Sequence, residues 1–193
     1  MSKKKTKQPW IISEDGKSLL ENFAGESERT RVIIASSFLE NGLEACLRLK
    51  FKNEMNGEDS NIVNKLFDST LRDFGRKNLI ARVLGIINHP TYEAIDSIRE
   101  IRNAFAHENF KIKLSHTSLN KYIGKLKDYL QQKYKERERL AWEKEEIEHF
   151  SKHKVSITDK SDLYFSLAVV NLFGYLGVAE FNFKVGGKGF GQY

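Results

Sequence analysis

One short run in this 193-residue chain holds side chains that packing does not explain: Arg102-Asn103-Ala104-Phe105-Ala106-His107. Histidine is suited to moving protons because its unperturbed pKa of about 6.5 lies near the working pH of most cells. Arginine holds a phosphate through a rigid fork of donors and offsets charge developing on its oxygens, which lysine does less well. Asn103 is placed to orient either group by hydrogen bonding. Together the three types suit metal-independent cleavage of a phosphodiester, with Arg99, Lys111 and Lys113 as candidate further phosphate contacts. The competing expectation is structural: Arg102, Asn103 and His107 would cap a helix end and pair with Asp96, Glu100 or Glu108, a common use of polar groups at helix termini.

The run closes a helix expected from Pro90 to about Ala106. Ile95, Ile98, Ile101 or Arg102, and Phe105 supply an inward stripe, while Arg99, Asn103 and His107 follow at four-residue steps on a second face. Arg102 stands about 140° from His107 on an ideal helix. The two converge only if the helix ends near Ala106, or if a second copy of the chain brings its own run alongside.

Other signals are weaker. Glu145, His149 and His153 also fall at four-residue steps, but neither a zinc-protease motif nor a cysteine pair accompanies them, so a solvated face is expected and no metal or cofactor is called for. Gly186-Gly187-Lys188-Gly189 has neither a preceding strand nor a following helix, so it is a tail rather than a phosphate loop. Cys46 reads as a small buried residue, His89 as part of a helix boundary before Pro90, and His116 lies near a helix start.

The rest of the chain must position this run, and its periodicity is helical throughout. A basic arm over 1–12, with Trp10, Ile11 and Ile12 as an anchor, precedes a short helix capped by Ser13, carrying Leu19, Leu20 and Phe23 and stopped at Gly25. A long central helix from about Glu26 to Phe51 follows, with Val32, Ala35, Ser36, Leu39, Leu43, Cys46 and Leu47 on its buried stripe. A polar loop over Asn53 to Ser60 leads to a short helix with Ile62, Val63, Leu66 and Phe67. Gly75 to Ile87 reads as one helix. Another begins near Ser118 and carries Leu119, Tyr122, Ile123, Leu126, Leu130 and Tyr134. The mixed charges after Tyr134 predict a helix on the surface. The last helix spans Asp162 to about Glu180, and 184–193 is a glycine-rich tail. The expectation is one all-α domain over 13–183, an irregular helical bundle.

Composition agrees: 40% hydrophobic and 30% charged residues, with two prolines, are ordinary for a globular protein. The single cysteine and the lack of a signal-like opening predict a cytoplasmic location. Phe165 to Ala179 is shorter than the roughly 20 residues of a membrane span and contains Asn171, so it reads as a buried helix with no membrane partner. The net charge is +6. Lys3, Lys4, Lys5 and Lys7 supply most of it, leaving a nearly neutral body and arguing against a broad DNA-binding face.

Glu26-Ser27-Glu28-Arg29, Leu66-Phe67-Asp68, Phe74, Leu84-Gly85, Tyr92, Asp96, Ile98-Arg99, Ile101-Arg102-Asn103 and Phe105-Ala106-His107 resemble, in order and spacing, the mannitol operon repressor (MltR) family over about residues 26 to 115. That resemblance implies a helical transcriptional regulator or protein adaptor without a helix-turn-helix reader. Arg102-Asn103 followed by His107 also resembles the signature of the HEPN superfamily, helical proteins that include metal-independent ribonucleases. This second resemblance implies RNA cleavage at a homodimer cleft by Arg102, Asn103 and His107, and is compatible with a toxin neutralised by an antitoxin or with phage defence.

Overall fold

The computed structural model describes residues 14–55, 60–107, 112–133 and 139–184. The basic arm, the Ser13 cap, the loop glycine Gly57, Glu108, Lys111, Tyr134 and the glycine-rich tail lie outside the described residues. Eight α-helices follow in order: α1 (Glu14–Phe23), α2 (Glu28–Glu54), α3 (Ser60–Ser69), α4 (Phe74–Val83), α5 (His89–His107), α6 (Asn120–Lys133), α7 (Arg139–Lys152) and α8 (Lys160–Lys184), with a 3-10 turn Thr117–Leu119 leading into α6. Among the described residues there is no strand, so the fold is all-α as expected.

The core is built around α2 and α8, which run parallel. Arg31 meets Asp162, Cys46 lies against the Leu176 carbonyl, and Asn53 donates to the Phe183 carbonyl, so partners advance together along both helices. Gly42 permits the close approach: a Cβ there would stand 3.2 Å from Leu176 Cδ1. Val32, Ala35, Ser36, Leu39, Leu43, Cys46 and Leu47 are all buried, as the period predicts. Burial pushes the Cys46 thiol up to about 12, which makes it an inert packing group. By length and composition alone α8 could cross a membrane, yet 61% of its most apolar window is buried against the rest of the fold.

The period does not announce Arg31, which is 2% exposed and donates from Nη2 to Asp162 Oδ2 at 2.7 Å. Asp162 also accepts from the Thr158 backbone N–H at 2.9 Å and from the Ser166 hydroxyl. Its charge is therefore satisfied from several directions, while Arg31 Nε and Nη1 are buried with no hydrogen-bond partner among the described residues. A second polar staple joins α2 to α4, where Lys77 donates to Glu40 at 2.8 Å and to Glu44 at 2.9 Å. Burial pushes Glu44 up, but hydrogen bonds from Lys77 and Arg48 outweigh it and hold the carboxyl below its ordinary value.

Four expectations need correction. The helix read over Gly75 to Ile87 stops at Val83, because Gly85 takes a left-handed φ of +68°. Its N–H bonds back to the Arg82 carbonyl and that of Ile86 to the Ala81 carbonyl, a closure that satisfies the last turn. Ile86 and Ile87 are buried beyond this turn rather than on the helix. The stretch expected to lie on the surface, α7, buries Phe150, Glu143 and Glu146. Glu143 is tolerated because its carboxylate accepts from the Tyr164 hydroxyl at 2.8 Å and from Lys160. Finally, α2 begins at Glu28 behind an Ser27 cap that accepts from the Thr30 N–H, and α8 is longer at both ends than its apolar run suggested.

Removing Asp162 strands a buried guanidinium, so Asp162→Ala should lower unfolding free energy by about 3–5 kcal/mol in urea titrations. The Arg31→Met/Asp162→Leu double variant should lose less than Asp162→Ala alone. The depressed Glu44 value links stability to pH in a definite sense. Its contribution is present above the ordinary value near 4.5 and lost as pH falls through the lower folded one. Lys77→Met should therefore flatten the fall of the urea midpoint below about pH 5.

Candidate functional site

The run singled out above ends α5. The start of that helix is held by Asn88, whose side chain accepts from the Thr91 N–H, and by Asn78, which donates to the Tyr92 carbonyl. Ala94, Ile95, Ile98, Ile101 and Phe105 are buried, so Ile101 rather than Arg102 continues the stripe. Arg102 and His107 are exposed and Asn103 is half-buried. Among the described residues, no hydrogen bond or ion pair engages any of the three.

Arg99 takes the partners that the structural alternative assigned elsewhere. Its guanidinium donates to Asp96 at 3.0 Å through Nε and also binds the Glu100 carboxylate. The same side chain lies across Gly75, where a Cβ would stand 3.5 Å from its Cδ and Nε. Arg99 thus arrives at the site with its charge already matched by two carboxylates and its stem packed on the first turn of α4. Lys113, a candidate phosphate contact, is exposed between buried Ile112 and Leu114. Lys111, the other lysine of that expectation, lies outside the described residues.

Because α5 remains helical through His107, the directions of Arg102 and His107 stay about 140° apart. One chain alone does not aim both at a single phosphate. The helix also offers its C-terminal, electronegative end here, which repels an anion, so any phosphate must be held by side-chain cations rather than by backbone N–H groups.

Sequence reasoning assigned no role to Glu28, although the residue formed part of the quoted resemblance. Its Oε2 accepts from the Leu114 N–H at 2.8 Å and its Oε1 from the Thr158 hydroxyl at 2.9 Å. A contact spanning 86 residues leaves no local signal. His116 caps the 3-10 turn by accepting from the Ser118 N–H. His149 and His153 lie with ring centroids 5.0 Å apart, but no group of three or more metal-binding side chains occurs among the described residues.

An all-helical fold with an exposed arginine and histidine and a half-buried asparagine closing a central helix has the outline of a HEPN protein. The family model for RiboL-PSP-HEPN matches residues 5–135, and the chain belongs to that family. The matched span runs through α6, whereas α8, which covers the buried face of α2, lies beyond it. No curated protein and no solved structure matches the chain. The resemblance to the mannitol operon repressor family rests on the quoted residues alone.

Exposed side chains without partners contribute little to stability. His107→Ala and Arg102→Ala should each shift unfolding free energy by less than about 0.5 kcal/mol. Arg99→Ala should cost about 0.5–1 kcal/mol, since it removes a partly exposed ion-pair group and its packing. Chemical denaturation of the three variants checks the ranking, and a large loss in His107→Ala would restore the structural role for the run.

Proposed function

We infer that this protein is a metal-independent endoribonuclease acting at a cleft between two copies of the chain. The observation that carries the assignment is the state of the run in a HEPN-family chain: Arg102 and His107 are exposed and unengaged among the described residues, while neighbouring Arg99 absorbs the nearby carboxylates. A histidine from one copy takes the proton from a ribose 2′-hydroxyl as its oxygen forms a bond to phosphorus. The P–O5′ bond breaks, and a protonated histidine of the other copy supplies the proton to the departing oxygen. Arg102 holds the non-bridging oxygens as charge gathers on them, and Asn103 orients the phosphate or the imidazole. Lys113 is a further phosphate contact. Two copies are required because one chain points Arg102 and His107 apart. A toxin held in check by a protein antitoxin, or a phage-defence effector, is the setting that HEPN membership favours.

A second assignment, a non-enzymatic regulator or adaptor like the mannitol operon repressor family, is favoured by a different surface. Leu79 (50%), Val83 (70%) and Leu84 (37%) leave an apolar stretch exposed along α4 and at its C-cap, as a protein-binding face would.

Purified protein in excess chelator should cut single-stranded or structured RNA, leaving 2′,3′-cyclic phosphate and 5′-hydroxyl ends. His107→Ala should slow cleavage by about 10²–10⁴-fold, the usual worth of general acid–base catalysis. Arg102→Ala should slow it by a comparable factor. RNA left intact by the wild type, or cut equally by His107→Ala, removes the enzyme and leaves the regulator.

A further inference from the structure

Beyond the three residues of the run, the described fold holds a carboxylate on which two distant segments converge. Glu28 lies in the first turn of α2 and is half-buried. Its Oε2 accepts from the Leu114 N–H at 2.8 Å, and its Oε1 accepts from the Thr158 hydroxyl at 2.9 Å. Leu114 is the seventh residue after His107 and is fully buried. Thr158 is fixed in turn, because its own N–H donates to Asp162 Oδ2 at 2.9 Å, on the oxygen that binds Arg31.

We propose that Glu28 is a positioning residue for the candidate site, holding the backbone at Leu114 and through it the neighbouring Lys113. This deepens the ribonuclease assignment and rests on it. A backbone N–H bonded to a carboxylate makes a charge-assisted contact, stronger than its neutral counterpart. The backbone at Leu114 is therefore tied to the same end of α2 that the buried ion pair ties to α8. Lys113 is carried on that anchored stretch, directly before Leu114 and directed outward between two buried neighbours. His107 is connected to it by a short length of chain. Release of the anchor lets Lys113 sample more positions, and catalysis depends steeply on placement, since small displacements of groups that hold the substrate cost large factors in rate. Glu28 touches no substrate in this role; it acts through Leu114.

Two variants separate positioning from a general structural part. Glu28→Gln keeps the shape and one acceptor oxygen but loses the charge and the second acceptor. Glu28→Asp keeps the charge on a side chain one methylene shorter. The measurements are hydrogen exchange across residues 112–116, exchange across the buried stretch 31–47 of α2, thermal midpoint, and steady-state cleavage of a labelled single-stranded oligoribonucleotide. Glu28→Gln should speed exchange at 112–116 at least tenfold, leave 31–47 and the midpoint unchanged, and lower kcat about tenfold with little change in KM. Glu28→Asp should fall between the wild type and Glu28→Gln in both exchange and kcat. Unchanged exchange at 112–116 overturns the proposal, as does faster exchange with an unaltered kcat. Faster exchange throughout α2 with a lower midpoint also overturns it and makes Glu28 a stability residue. Wild-type protein that cuts no RNA refutes the ribonuclease assignment, and positioning for catalysis falls with it. The exchange result still separates that failure from absence of the anchor.

Discussion

The fold turns on a charge pair removed from water. Taking a guanidinium and a carboxylate into the interior is costly, and the cost is met only when the two meet and the remaining lone pairs are also bonded. Arg31 and Asp162 satisfy the first condition, and Thr158 and Ser166 supply the second for Asp162. The pair therefore sets the register of two parallel helices at one end, where apolar packing alone would tolerate sliding. Glu28 precedes Arg31 by one turn and Thr158 precedes Asp162 by one turn, so a fixed register is what brings them within hydrogen-bonding distance. The stretch beyond the candidate site is attached to this junction through Leu114. A local ion pair thus extends its influence to residues far from either partner in sequence.

At the site itself the physics is one of spare valence. Charged groups in a folded protein usually find partners, and Arg99 does, with Asp96 and Glu100. Among the described residues Arg102, one turn further on, has no such partner and is exposed, as is His107. A cation in the last turn of a helix is also favoured by the helix dipole.

Much of this was legible in sequence because helices announce themselves by period. The stripe of α2 was readable position by position, since Val32 through Leu47 recur at the spacing that one buried face requires. Arg31 was not, because a pattern of apolar residues is blind to a charge whose partner lies 131 residues away. Gly85 ended α4 where the apolar pairs continued, since Ile86 and Ile87 serve the core from a turn as well as from a helix. In α7 the alternation of charge suggested water on all sides, yet Glu143 meets a tyrosine hydroxyl and a lysine. The run at the end of α5 stood out by residue type, whereas the pairing of Arg99 with Asp96 and Glu100 depended on which carboxylates lie within reach. Glu28 was visible only as a letter in a resemblance, because its partners are brought by tertiary structure.

The parallel pairing of α2 with α8 has a consequence for biogenesis. Helices adjacent in sequence can dock as soon as both have emerged from the ribosome, but α2 must wait for a partner made more than a hundred residues later. Until α8 appears, the covering face of α2 and the guanidinium of Arg31 have nothing to settle against, and the nascent chain stays open to chaperones. The junction that anchors Leu114 is likewise incomplete until Thr158 and Asp162 have been made. A fold whose central register is fixed only when α8 is in place leaves its earlier helices waiting on a later one.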